Sequence, residues 1–139
     1  MILTDRAKTV LELRYLLKNE KGEIIETPEK LFWRVADYVA KAEEFYGENP
    51  SPWSENFYEF ISSLRFLPNS PALMNAGKPR AQLAACFVLP VEDSIESIFK
   101  TLKDAALILQ SGGGTGFNFS SLRPKGDVVR STGGIASGP

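Results

Sequence analysis

The sequence predicts a helical region up to residue 67, followed by the opening elements of an α/β domain. Apolar residues recur at helical spacing in three stretches before Pro68, and a Thr or Ser suited to a helix N-cap precedes each stretch. Residues 81–89 then form a short, nearly uncharged run that ends at Pro90, which is typical of a strand buried on both faces. A further helical stretch leads to a glycine cluster and a second apolar segment.

The helical region is expected to contain three helices, over residues 4–18, 28–46 and 55–64. Thr4, Thr27 and Ser54 are the expected N-caps. Pro28 suits the first helical position because its missing N–H is not needed there, and Gly47 is expected to end the second helix. The residues expected to face the core are Val10, Leu11, Leu13, Leu16 and Leu17, then Leu31, Val35, Tyr38, Val39, Ala42 and Phe45, then Phe57, Tyr58, Phe60, Ile61 and Leu64.

The α/β part is predicted as strand, helix and strand. Asp93 or Ser94 caps the helix, and Glu96 and Lys100 are spaced to pair on its outer face. Glycines 112–114 stop the helix, residues 115–119 form the second strand, and the polar tail over residues 121–139 is predicted to be loop. The apolar stripe expected on the inner face of the helix comprises Ile95, Ile98, Phe99, Leu102, Ala105, Ala106 and Leu109.

Composition excludes several classes of function. The chain has 139 residues and a net charge of −1, so it has no basic surface of the kind that binds nucleic acid. Asp5 and Arg6 interrupt any apolar leader, and no apolar run approaches the roughly 18 residues of a membrane span. Neither membrane association nor secretion is therefore expected, and the cytoplasm is the expected location. The last residues finish no element, so the chain is expected to be a piece of a longer protein.

Cysteine and histidine usage narrows the possible chemistry. A single cysteine excludes a disulfide within the chain, and the absence of His excludes Ser-His and Cys-His nucleophile pairs. A metal site would need carboxylates alone or ligands from another chain, so none is predicted. Any chemistry must therefore be unusual or be completed by residues outside this chain.

Three local features remain ambiguous from the residues alone. The glycines at 112–116 do not form a dinucleotide fingerprint, because they follow a helix and precede a strand. They either end a helix in a tight turn or leave bare backbone amides for an anion. Cys86, within an apolar strand, is by itself more typical of an inert core residue, and Asp93 of a helix cap.

Several longer motifs resemble the large chain of ribonucleotide reductases. They are residues 69–77 (NSPALMNAG), 86–94 (CFVLPVEDS) and 112–124 (GGGTGFNFSSLRP), in the family's order and spacing. Residues 3–7 (LTDRA) and 14–17 (RYLL) are also similar to the adenosylcobalamin-dependent, or class II, branch. The resemblance covers nearly the whole chain, and it implies a helical N-terminal region followed by the first strands of a ten-stranded α/β barrel.

The resemblance also implies roles for individual residues. Cys86 matches the first-strand cysteine that reduces the substrate radical as half of a dithiol, which an external dithiol regenerates. Ser70 matches a position that contacts substrate, and Gly113 and Gly114 match backbone that lines the ribose and cysteine pocket. Ala85 stands where some relatives carry a substrate-binding Ser, so any side-chain contact from that position is lost.

An effector site and a set of partners follow from the same resemblance. Asp93 and Arg123 match the site of a deoxynucleotide effector, where the carboxylate suits a sugar hydroxyl and the guanidinium suits phosphate. Arg130 lies in the corresponding first effector loop. The implied cofactor is adenosylcobalamin, not bound by this segment alone. The implied partners are a ribonucleotide substrate, the deoxynucleotide effector, the remaining C-terminal segment of the enzyme, an external dithiol reductant and further copies in a homo-oligomer.

Residues 1–67 are therefore predicted to form the helical N-terminal region, and residues 68–139 the start of the catalytic barrel. The radical-forming cysteine of the family lies beyond Pro139, so the chain alone is expected to be inactive. Two other hypotheses stay open: a non-catalytic nucleotide-binding or assembly module, and a purely structural helical domain. A complementary chain that begins where this one stops would favour the reductase, and nucleotide binding by the isolated chain would separate the other two.

Overall fold

The computed structural model describes residues 3–79, 81–129 and 132–138, which divide into two compact units between Ala84 and Ala85. The domain boundary predicted after residue 67 stays a prediction. The first unit contains α1 (Asp5–Arg14), α2 (Pro28–Ala40), a 3₁₀ helix (Lys41–Tyr46), α3 (Pro50–Ser62) and α4 (Ser70–Asn75). The second contains β1 (Cys86–Pro90), α5 (Ile95–Gln110), β2 (Gly114–Asn118), β3 (Val128–Val129) and β4 (Gly134–Ile135).

The core of the first unit is built around α2. This helix buries one face because its apolar residues recur every three or four positions, and Trp33 stacks on Tyr58 of α3 with ring centroids 4.0 Å apart. Burial of each large aliphatic side chain contributes about 1.5–3 kcal/mol. The buried cluster comprises Leu16, Leu31, Phe32, Val35, Ile61, Leu73 and Ala76.

The predicted helices are present with shifted boundaries. The first ends at Arg14, and its Val10 and Leu13 are exposed. Leu11 and Tyr15 pack only partly against the core, and Leu16, beyond the helix end, is buried in it. The second tightens into the 3₁₀ helix before Gly47, which adopts φ +76°, and this leaves Phe45 91% exposed.

The third helix begins earlier than expected. Asn49 is its N-cap, because the Asn49 side chain accepts a hydrogen bond from the Ser51 amide and Pro50 occupies the first helical position. Ser54 is therefore not a cap. It lies inside the helix, buried, where its hydroxyl donates to Asp37 of α2.

The segment after Pro68 contains a short helix that its content of Pro, Asn and Gly residues did not predict. The Asn69 side chain accepts a hydrogen bond from the Ala72 amide at 2.8 Å and so caps α4, and Pro71 lies in the first turn. The helix buries Ala72 and Leu73. The Asn and Pro residues that looked irregular thus serve to start a helix.

In the second unit, β1 and β2 pair in parallel, with Cys86 opposite Gly114 and Pro90 opposite Asn118. Ser94 caps the connecting helix α5 by accepting from the Ser97 amide at 3.1 Å. The all-helical start and the strand, helix and strand that follow confirm the predicted fold class of an incomplete α/β domain.

Burial in the second unit is lower than the sequence predicts. Val88 of β1 is 82% exposed, because β2 is its only paired strand among the described residues. Most of the apolar stripe of α5 is also exposed, and Lys100 pairs with Asp104 at 2.7 Å instead of with Glu96. The tail is not only loop, since β3 and β4 form an antiparallel pair.

Among the residues that the structure describes, no helix combines the length and the apolar character that a membrane crossing requires.

Candidate functional site

Cys86 lies in a strand, as predicted, but it is the first residue of β1 and not in the middle of the strand, and its side chain is exposed. The expectation of a core cysteine from local evidence is therefore wrong. Gly114 lies opposite Cys86 in the sheet, and the Gly114 amide donates to the Ala85 carbonyl at 2.6 Å. The second unit thus brings Ala85, Cys86, Gly113 and Gly114 together at the start of the two parallel strands. An exposed thiol next to side-chain-free backbone leaves room for a ligand.

The four glycines that follow α5 differ in whether backbone conformation or packing requires a residue without a side chain. Gly112 adopts φ +89°, which favours glycine at the helix end. A Cβ at Gly113 would lie 2.7 Å from Ile108 Cγ2 and 3.0 Å from Phe87 Cε2, so close packing excludes a side chain there. Gly114 and Gly116 have neither constraint, because a Cβ would meet only the Ala85 carbonyl at 3.6 Å, or nothing. The tight turn therefore explains Gly112, close packing explains Gly113, and neither explains Gly114 or Gly116.

Ser70 is the first residue of α4 and belongs to the first unit. Its side chain is exposed, and its Oγ lies 3.0 Å from the hydroxyl oxygen of Tyr15. Sequence reasoning assigned no role to Tyr15, although it falls in the RYLL motif of residues 14–17. The signal available in the sequence was its place in that motif, because a tyrosine hydroxyl that becomes buried usually finds a partner.

Asp93 and Arg123, predicted to share an effector site, form an ion pair in the second unit. The Arg123 Nε lies 2.7 Å from Asp93 Oδ2, and their side chains are 31% and 35% exposed. Ser94 caps α5, so the Asp93 carboxylate remains available for this pairing. A phosphate would have to compete with Asp93 for the guanidinium, whereas a sugar hydroxyl could join the carboxylate without breaking the pair. Arg130 lies outside the described residues.

A second ion pair, which the sequence did not predict, is buried in the first unit. Arg34 Nε donates to Glu26 Oε1 at 2.8 Å, and Glu26 is only 8% exposed. Lys78 lies nearby, and its pKa is lowered by burial first and by the positive charge of Arg34 second. No group of three or more Cys, Asp or Glu side chains within the described ranges could hold a metal ion.

An all-helical unit is followed by a parallel strand, helix and strand, with an exposed thiol on the first strand. Family models described as the all-alpha domain and the barrel domain of ribonucleotide reductase match residues 2–81 and 84–139. The chain belongs to the ribonucleotide reductase family.

Two similar proteins carry the name vitamin B12-dependent ribonucleoside-diphosphate reductase. The one from Mycobacterium tuberculosis is 54% identical over 99% of this chain, and the one from Thermoplasma acidophilum is 45% identical over 99%. A ribonucleoside-diphosphate reductase large subunit from Trypanosoma brucei is 36% identical over 92% of the chain. The chain spans 20%, 25% and 15% of the lengths of these three relatives, respectively.

Proposed function

We propose that this chain is the N-terminal part of an adenosylcobalamin-dependent ribonucleotide reductase, which converts ribonucleotides to deoxyribonucleotides. The observation that carries the proposal is the exposed thiol of Cys86 on the first strand of a family-matched barrel segment. In this role Cys86 gives a hydrogen and an electron to the substrate, and it belongs to the catalytic residues.

The thiol chemistry balances only with a second cysteine. Reduction breaks the ribose C2′–O bond, and the oxygen leaves as water. Two thiols together supply two electrons and two protons, and an S–S bond forms between them. Because Cys86 is the only cysteine in the chain, its partner must come from outside these residues. An external dithiol then restores both thiols by exchange.

The substrate pocket in this proposal uses backbone near Cys86. Gly114 supports this role because its missing side chain is not required by packing or by backbone conformation. Gly113 would contribute its backbone beside it, and Ala85 would offer no polar side chain. Ser70, in the first unit, would contact the substrate through its hydroxyl.

The effector site in this proposal uses Asp93 and Arg123, with Arg130 as a further contact. Their ion pair supports the assignment, because it holds a carboxylate and a guanidinium side by side at a partly exposed position. A deoxynucleotide sugar hydroxyl would hydrogen-bond Asp93, and its phosphates would lie near Arg123.

The cofactor in this proposal is adenosylcobalamin, held by parts of the enzyme outside this segment. When bound there, it would supply the initiating radical. The remaining C-terminal segment, a homo-oligomeric state and a cytoplasmic location belong to the same proposal.

The test is Cys86→Ser in a full-length reductase that carries this segment. Sustained, dithiol-supported nucleotide reduction should be lost, because Ser cannot form a disulfide. Val88→Ser is a matched comparison, since it places the same hydroxyl two residues along the same strand. Sustained turnover by this variant would show that a hydroxyl in β1 does not by itself abolish activity. Normal multiple turnover by Cys86→Ser would refute the redox role of Cys86 and weaken the assignments of Ser70 and the glycines with it.

A further inference from the structure

Tyr15 contacts the residue proposed to bind substrate. Its hydroxyl oxygen lies 3.0 Å from Ser70 Oγ, although 55 positions separate the two residues. The Tyr15 ring is half-buried against the core cluster of the first unit, and its backbone amide still bonds to the Leu11 carbonyl at the end of α1. The phenol group is therefore held from both its ring and its backbone.

The backbone that carries Ser70 is held as firmly. Arg34 donates from Nη1 to the Ala76 carbonyl and from Nη2 to the Leu73 carbonyl at 3.3 Å, which anchors the C-terminal end of α4. The buried Ala72 and Leu73 fix the same helix against the core.

The buried pair joins the two segments. Glu26 binds Arg34, and its Oε2 also accepts from the Leu17 amide, two residues after Tyr15, at 3.0 Å. One carboxylate thus links the chain that carries Tyr15 to the guanidinium that holds α4. With both backbones fixed, the freedom left to Ser70 is rotation of its side chain and its hydroxyl hydrogen.

We propose that Tyr15 is a positioning residue that orients the Ser70 hydroxyl toward the substrate; this rests on the proposed function of Ser70. A phosphate oxygen can only accept hydrogen bonds, and Ser has only one hydroxyl hydrogen. In this proposal Ser70 gives that hydrogen to an oxygen of the substrate phosphate, and Tyr15 donates its own hydrogen to Ser70 Oγ across the 3.0 Å contact. Donation from the phenol also polarises the serine O–H and strengthens its bond to the anion.

The experiment is a double-mutant cycle of Tyr15→Phe and Ser70→Ala in a full-length reductase that carries this segment. Tyr15→Phe should raise KM for the ribonucleotide roughly 2- to 10-fold, which is the range expected for one hydrogen bond, with kcat nearly unchanged. In the Ser70→Ala background the same change should have no further effect, because Tyr15 acts through Ser70. Tyr58→Phe is the matched control, since its ring packs on the same cluster and its hydroxyl makes no hydrogen bond to the described residues.

The outcomes separate this inference from the proposed function. An unchanged KM for Tyr15→Phe, or an equal rise with and without Ser70, overturns the role of Tyr15. An unchanged KM for Ser70→Ala overturns both the inference and the substrate contact of Ser70, while the Cys86 test still decides the redox role independently. A fall in melting temperature with no change in KM would assign Tyr15 to stability alone and also overturns the inference.

Discussion

Gly113→Ala should destabilise the second unit by packing alone. The added Cβ would lie 2.7 Å from Ile108 Cγ2 and 3.0 Å from Phe87 Cε2, against about 3.5–4.0 Å for relaxed carbon contacts. Both side chains can shift, but the Ile108 carbonyl at 3.3 Å belongs to the helix backbone and yields less. Overpacking of this kind destabilises the folded state by about 1–3 kcal/mol. Ala also reduces the conformational entropy of the unfolded chain relative to Gly, and this offsets about 0.4–1 kcal/mol of that cost.

Gly116→Ala is the control, because it lies in the same strand β2 and its Cβ would meet no atom within 4 Å. It should be neutral or slightly stabilising. All Trp and Tyr residues precede the second unit, so fluorescence would not report on it. Hydrogen exchange of the β1, α5 and β2 amides measures the local opening free energy directly. Equal protection in the two variants would refute the close-packing argument and leave Gly113, with Gly114 and Gly116, to be explained by ligand contact.

Three further predictions follow from charge and exposure. Lys78→Met should stabilise the protein at pH 7, because burial lowers the pKa of Lys78 and penalises its charged form. The gain in unfolding free energy should shrink as the pH rises through the lowered pKa toward 10.5, and urea unfolding at pH 7 and 10 measures this gain. The isolated chain should bind deoxynucleoside triphosphates weakly or not at all by calorimetry, since Asp93 already neutralises Arg123. Tight binding that survives the loss of both side chains, in the double variant Asp93→Ala with Arg123→Ala, would place the site elsewhere. The chain should self-associate through exposed apolar residues such as Phe99 and Leu102, and a monomer across a wide concentration range in sedimentation would contradict this.

Helical periodicity and capping chemistry predicted the type and order of most elements. The Thr4 and Thr27 caps are present because each side chain accepts from an amide three residues on. The Ser54 cap was wrong because Asn49 and Pro50 offered an equally good start one turn earlier, and tertiary packing then used the Ser54 hydroxyl against Asp37. Local sequence rules rank possible helix starts poorly when two lie within a turn or so of each other.

The sequence predicted the features of the candidate site that depend on the order of the strands. It did not predict the contacts between residues that are far apart in the sequence. The apolar run predicted that Cys86 lies in a strand. It did not predict that Cys86 is exposed, because an apolar run does not show how many neighbouring strands cover the strand it forms. The resemblance named Asp93 and Arg123 together, and the structure places them in contact across 30 positions. No pattern linked Tyr15 to Ser70, or Glu26 to Arg34, since these contacts depend on how the helices pack.

The buried Glu26–Arg34 pair is better understood as a positioning device than as a source of stability. Taking both charges out of water costs several kcal/mol per ion, and apolar replacements of similar volume are often as stable. Apolar side chains could not supply the directional hydrogen bonds that this pair makes to backbone groups. Arg34 reaches the carbonyls of Leu73 and Ala76, and Glu26 reaches the Leu17 amide, so directional bonds fix one register between three separate segments. Because α4 carries Ser70 at its first residue, that register determines where the hydroxyl is presented.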